Sequence, residues 1–229
     1  MTAPEEELGV KISAEVAVSA QATVRHSFTR QHFRAASFFA ESAEALEREI
    51  SLQNRKNDAR KSQHRAYVVG TIVSAVMGLE ACINEIYLDA CDKSQKNLAG
   101  LDDIAMSPLS EWWPEVERGP ILLKYQRALS LPGRLALPKE ETPYQDTDHL
   151  IHLRNALTHY KPEWDDSLDV HASLEARLTG KFALNPLSTE ASLWFPHRCL
   201  GSGCAHWAVK TAEDLVREFA ARLGIAPRI

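Results

Sequence analysis

Apolar and polar positions along the chain alternate with a helical period for most of its length. Phe33, Ala36, Phe39, Ala43 and Leu46 recur at three- and four-residue intervals, which predicts a helix over about 30–51. From about Gln63 to Asp92 the apolar residues Val69, Ile72, Val73, Val76, Leu79, Ile83 and Ile86 fall on several sides, as in a helix enclosed by others. Pro120 opens a helix through Ile121, Leu122, Tyr125 and Leu129 that ends near 131–133. Thr142-Pro143, a suitable N-cap and first-turn pair, starts another that runs to His159. A short helix is expected over 172–178. A last one, over about 202–223, has Trp207, Ala208, Thr211, Leu215, Phe219 and Leu223 on one face and Gly224 as its stop.

Three stretches depart from this period. Residues 12–24 alternate with a period of two (Ile12, Ala14, Val16, Val18, Ala20, Ala22, Val24 on one face), which predicts a strand. A lone strand needs a partner, either a segment such as 167–171 or the same strand in a second copy. Residues 94–118 read as irregular, with short helical pieces around Asp102 and 110–116, and with Trp112 and Trp113 as packing residues. Residues 132–141 form a Pro-rich, charged loop that could move and border a substrate groove. The expected architecture is all-α: an up-and-down helical bundle over 30–229, preceded by an extension over 1–29 that carries the strand.

Composition narrows the function classes. A chain of 229 residues with 45% hydrophobic content can bury one substantial core. Its net charge of -5 supplies no global basic field, so nucleic acid binding would need a local patch. One candidate is Arg55, Lys56, Arg60, Lys61 and Arg65, set against the single acid Asp58. This run reads either as a solvated helix junction or exposed helical turns, or as a phosphate-tracking surface. The longest uncharged run, Ala66 to Leu79, has 14 residues and suits a buried helix better than a membrane span. Met1 to Leu8 is acidic and lacks a signal pattern, so a cytoplasmic protein with no membrane partner is expected.

Metal sites are weighed and set aside. Cys82 lies within the apolar helix, where a free thiol serves as a small hydrophobe. His197, Cys199, Cys204 and His206 flank a Gly-rich turn and could converge on zinc, but the spacing matches no familiar finger. The acidic run Glu163, Asp165, Asp166 and Asp169 reads as a solvated loop rather than a magnesium cluster. No metal or other cofactor is expected.

The chemistry concentrates between Leu150 and Pro162. Leu150, Leu153 and Leu157 form a buried stripe; His152, Asn155 and His159 form a second face, with Arg154 between them. Pro162 disfavours helix at Lys161, which leaves His159 and Tyr160 at the helix mouth. A guanidinium, an amide and an imidazole are thus gathered at one helix end, a set that can hold a phosphate and move a proton. A second polar stripe, Glu80, Asn84, Tyr87 and Cys91, runs through the apolar helix. A buried carboxylate there needs a partner, and Arg154 is the natural one; the alternative is that Glu80 is exposed or caps a neighbouring helix.

Arg154-Asn155, three residues, then His159 resembles the R-x4-6-H motif of the HEPN superfamily. These are small helical domains, many of them metal-independent RNA-cleaving toxins or defence nucleases. The resemblance spans about residues 30–224, with residue-by-residue correspondence only at the motif and at the Glu80 helix. It implies an endoribonuclease in which the substrate's 2′-hydroxyl attacks the adjacent phosphorus to leave a 2′,3′-cyclic phosphate. His159 would act as general acid or base, Arg154 would hold the phosphate, and Asn155 would orient the imidazole or the substrate. Glu80, Asn84 and Tyr160 would support them. A homodimer that joins two motifs in one cleft is also implied, with a cognate antitoxin or regulatory protein as a further partner. The alternative is a non-catalytic scaffold for RNA, a nucleotide or a protein, with Arg154 locked to Glu80 and His159 merely capping the helix.

Overall fold

A computed structural model describes residues 25–53, 58–94, 98–160 and 171–229. The expected strand over 12–24, Arg55, Lys56 and the acidic run 163–169 lie outside the described residues. Within them the protein is all-α: α1 (Thr29–Gln53), α2 (Asp58–Cys91), α3 (Asp103–Val116), α4 (Ile121–Ser130), α5 (Tyr144–Thr158), α6 (Ala172–Leu178) and α7 (Ser202–Leu223), with one wide turn over Trp194–Arg198.

α2 is the axis of the fold. It packs against α1, α3, α4, α5 and α7, so its uncharged sequence is spent on neighbours, with Val68, Ile72, Ala75, Leu79 and Ile83 fully enclosed. By length and composition it is apolar enough to cross a membrane, but half of its most apolar stretch is buried inside the bundle. α1 and α2 run antiparallel, fixed by a polar contact at each end. Glu85, late in α2, accepts the backbone N–H groups of Phe28 (2.9 Å) and Thr29 (3.1 Å) and so caps the start of α1. Glu47, late in α1, meets His64, early in α2, at 2.9 Å.

Several boundaries differ from those the sequence suggests, each for a local reason. α2 begins at Asp58 rather than near Gln63, so residues 58–62 form its first turn, as the reading of this run as exposed helical turns has it. Residues 103–116 form one continuous helix despite Pro108 and Pro114. Asp102 caps it by accepting the Ala105 N–H at 2.8 Å, and Met106, Leu109 and Val116 bury its inner face. Thr142 does not cap α5; Pro143 occupies that position, and its carbonyl receives the Thr147 N–H and hydroxyl. The 132–141 loop is tied down. Gln126 bonds both backbone groups of the buried Leu137 (2.7 and 2.9 Å), and Arg222 donates to the Ala136 carbonyl at 2.9 Å. His171, a candidate strand end, instead precedes the first turn of α6. The last helix matches its expected span, and Gly224 ends it at φ 85°, a left-handed conformation that favours glycine.

Candidate active site

α5 presents the motif as its spacing requires. Leu150 and Leu153 are fully buried, which anchors the helix and turns the intervening positions outward. Helical structure stops at Thr158 with His159 as its cap, within a turn of the end that Pro162 sets, and the His159 N–H closes the last turn on the Asn155 carbonyl at 2.9 Å. The Thr158 hydroxyl folds back onto the Arg154 carbonyl at 3.0 Å. Asn155, His159 and Tyr160 are exposed, and Arg154 is half-buried. His152 turns away, Nδ1 donating to the Asp148 carbonyl at 2.8 Å.

What distinguishes this helix end is how little the protein does with its polar groups. Arg154 Nε is buried with no hydrogen-bond partner. Among the described residues no carboxylate pairs with Arg154, and the side chains of Asn155 and His159 make no hydrogen bond. A buried guanidinium nitrogen without an acceptor is costly, and an incoming anion would relieve that cost.

The expected partner of Arg154 is engaged elsewhere. Glu80 faces Lys124 of α4, 3.8 Å away, and its side chain is nearly half exposed. Asn84 accepts from the same ammonium at 2.9 Å. Tyr87 donates to the Lys124 carbonyl at 3.1 Å and stacks on Trp113 of α3 at 5.5 Å, while the Cys91 thiol approaches the Ser110 carbonyl at 3.9 Å. The polar stripe of α2 therefore exists, but α3 and α4 answer it, not α5. Burial pushes the Lys124 ammonium below its ordinary pKa, and Glu80 only partly restores it.

The rim around the motif contains side chains that the sequence did not connect to it. Tyr160 lies 6.4 Å from His171, ring centre to ring centre, with the planes 14° apart. Buried Phe195, in the wide turn, touches both, at 4.5 Å from His171 and 6.2 Å from Tyr160. Two positions on, His197 accepts from Arg65 of α2 at 2.9 Å. The wide turn thus links the end of α5 to the start of α2. The other described cations of the basic run are also engaged: Arg60 pairs with Glu49, and Lys61 reaches the Leu187 carbonyl at 3.5 Å. Among the described cations of that run, Arg65 alone has a hydrogen bond to the turn beside the motif.

The zinc alternative is scattered by the fold. His197 turns to Arg65, and His206 donates to Glu44 at 3.1 Å. Cys199 and Cys204 are buried, and burial pushes the Cys199 thiol up to about 12. Among the described residues no three potential metal ligands converge. Gly201 and Gly203 are there for space: a Cβ would come within 2.7 Å of the Asn185 backbone and 2.6 Å of the Ala183 carbonyl. Ser202 between them belongs to a buried network. Glu47 Oε2 accepts from the Ser202 N–H (2.8 Å) and from His64, and Oε1 from the Ser202 hydroxyl (2.7 Å). Burial alone would raise the Glu47 carboxyl. Hydrogen bonds from His64 and Ser202 outweigh it and hold the group below the usual carboxylate range.

A groove of about 710 Å³ lies at the other end of α5 between Asp146, Lys181 and the Trp207–Glu218 face of α7. Its charges are of both signs and include the Lys181–Asp146 pair at 2.5 Å. It contains none of the motif side chains. Comparison with protein-family models, curated proteins and solved structures finds no match for this chain.

Proposed function

We propose that the protein is a metal-independent endoribonuclease of HEPN type, with Arg154, Asn155 and His159 as its catalytic residues. The observation that supports this best is the unanswered state of those three side chains at an exposed helix end, with Arg154 Nε buried and lacking an acceptor. Arg154 binds the scissile phosphate and neutralises charge as the phosphorane forms. His159 removes the 2′-hydroxyl proton or supplies one to the leaving 5′-oxygen. Asn155, one turn before it on the same face, orients the imidazole or the sugar. The bond formed is 2′-O to phosphorus and the bond broken is phosphorus to 5′-O, so the products are a 2′,3′-cyclic phosphate and a free 5′-hydroxyl.

One motif carries one His159, and the reaction needs both a base and an acid. A homodimer with two motif ends facing one cleft supplies the second imidazole. Toxin or defence biology in the cytoplasm, restrained by an antitoxin or other regulatory protein, completes the proposal. The pairing of Glu80 with Lys124 weighs against a scaffold in which Arg154 is locked to Glu80, because among the described residues no carboxylate pairs with Arg154.

The test is cleavage of a mixed RNA pool in EDTA by the wild type, Arg154→Ala and His159→Ala, with product ends mapped and the oligomeric state measured by sedimentation. Cyclic-phosphate ends that vanish in both variants are expected. Cleavage that survives both substitutions would refute the site, and a folded dimer that cuts nothing would favour the scaffold.

A further inference from the structure

We propose that Tyr160 and His171, seated on Phe195, form a stacking platform for one nucleobase of a single-stranded RNA, next to the phosphate site. This rests on the ribonuclease reading above and adds what that reading lacks, a means of choosing which phosphodiester meets His159.

Three observations carry it. The Tyr160 and His171 rings are held within 14° of parallel, although the chain between them covers ten residues. Tyr160 is 47% exposed, a large aromatic surface left open to solvent beside the motif. The ring that steadies both, Phe195, is itself 3% exposed and anchored in the core, so the platform is fixed before any ligand arrives. A packing cluster would turn its largest ring inward; this one buries its support and exposes its face.

Position gives the platform its meaning. Tyr160 directly follows His159, so a base stacked on it would neighbour the phosphate that Arg154 and His159 are proposed to hold. Stacking accepts any base through its π-face, and it favours unpaired strands because a paired base is already stacked. The substrate class is therefore single-stranded RNA, with modest base preference. Arg65, bound to His197 two residues beyond Phe195, lies where a flanking phosphate would pass.

The experiment uses the full chain and a short 2′-O-methyl oligoribonucleotide, which cannot be cut, in two versions: one with a single 2-aminopurine, one abasic at that position. The 2-aminopurine fluorescence is expected to quench on binding, and the abasic probe to bind about tenfold more weakly. Tyr160→Ala and His171→Ala each weaken the intact probe to about the abasic level and leave the abasic probe unchanged, while Tyr160→Phe retains tight binding. Arg154→Ala weakens both probes alike. Equal affinity for the two probes, or Tyr160→Ala binding like the wild type, would overturn the platform while leaving the ribonuclease reading intact. If Arg154→Ala changes neither probe, the phosphate site is wrong and the platform falls with it.

Discussion

Two polar stripes in this protein meet opposite fates. Along α2, Glu80, Asn84, Tyr87 and Cys91 each find a partner on α3 or α4, and the buried Lys124 ammonium is shared between two of them. At the end of α5, Arg154, Asn155 and His159 find none among the described residues, and Arg154 Nε is buried unsatisfied. The first stripe is the fold satisfying itself. The second leaves a half-buried guanidinium that no described carboxylate neutralises, beside the exposed Asn155 and His159. Charge inside a helix bundle says little about function until it is known whether the protein has already neutralised it.

The comparison can be broken most severely by chemistry at the α5 end. His159→Ala should lower RNA cleavage by about 10²–10⁴-fold, the range for loss of a general acid or base. Thermal denaturation should barely move, because His159 is exposed. Lys124→Ala should do the reverse. Removing a fully buried side chain packed over Trp113 (5.9 Å to the ring centre) should destabilise the fold by about 3 kcal/mol in chemical denaturation. The protein that remains folded should keep its cleavage rate.

Glu47 offers a smaller, pH-dependent contrast. Its carboxyl is held low in the folded state, so its contribution is present above its unfolded value of about 4.5 and is lost as pH falls through the lower folded one. Glu47→Gln should cost roughly 1–3 kcal/mol near neutral pH, measured by urea denaturation. The same variant should show a flatter loss of stability below about pH 4.5 than the wild type. The smallest effect is expected at Glu80. Its side chain is 45% exposed and its ion pair long, so Glu80→Gln should cost less than about 1 kcal/mol and leave cleavage within experimental scatter. A large cleavage loss in Glu80→Gln would show that the two stripes are coupled after all.

Much of this was legible in the sequence because it is local. The three- and four-residue periods locate α1, α2, α4 and α7, and Gly224 marks a helix end by the conformation it alone adopts readily. The outward placement of Asn155 and His159 follows from Leu150 and Leu153 being needed inside. What was not legible is long-range. Glu80 and Lys124 are forty-four positions apart, and no period announces that α4 rather than α5 lies across that face of α2. His171 and Phe195 join Tyr160 through a turn with no repeating pattern, so nothing in their spacing points to the motif. The irregular reading of this region fails in the other direction: burial of Met106, Leu109 and Val116 holds 103–116 in one helix despite the N–H groups that Pro108 and Pro114 lack.

The most direct test of the unanswered site is to titrate the isotopically labelled protein with a 2′-O-methyl oligoribonucleotide and map the backbone amide shifts by NMR. The account predicts perturbations at 154–160, at 171 and across 194–198, with residues 80, 84 and 124 unmoved. Perturbations centred on the groove between Asp146 and the Trp207–Glu218 face of α7, with the end of α5 silent, would contradict it.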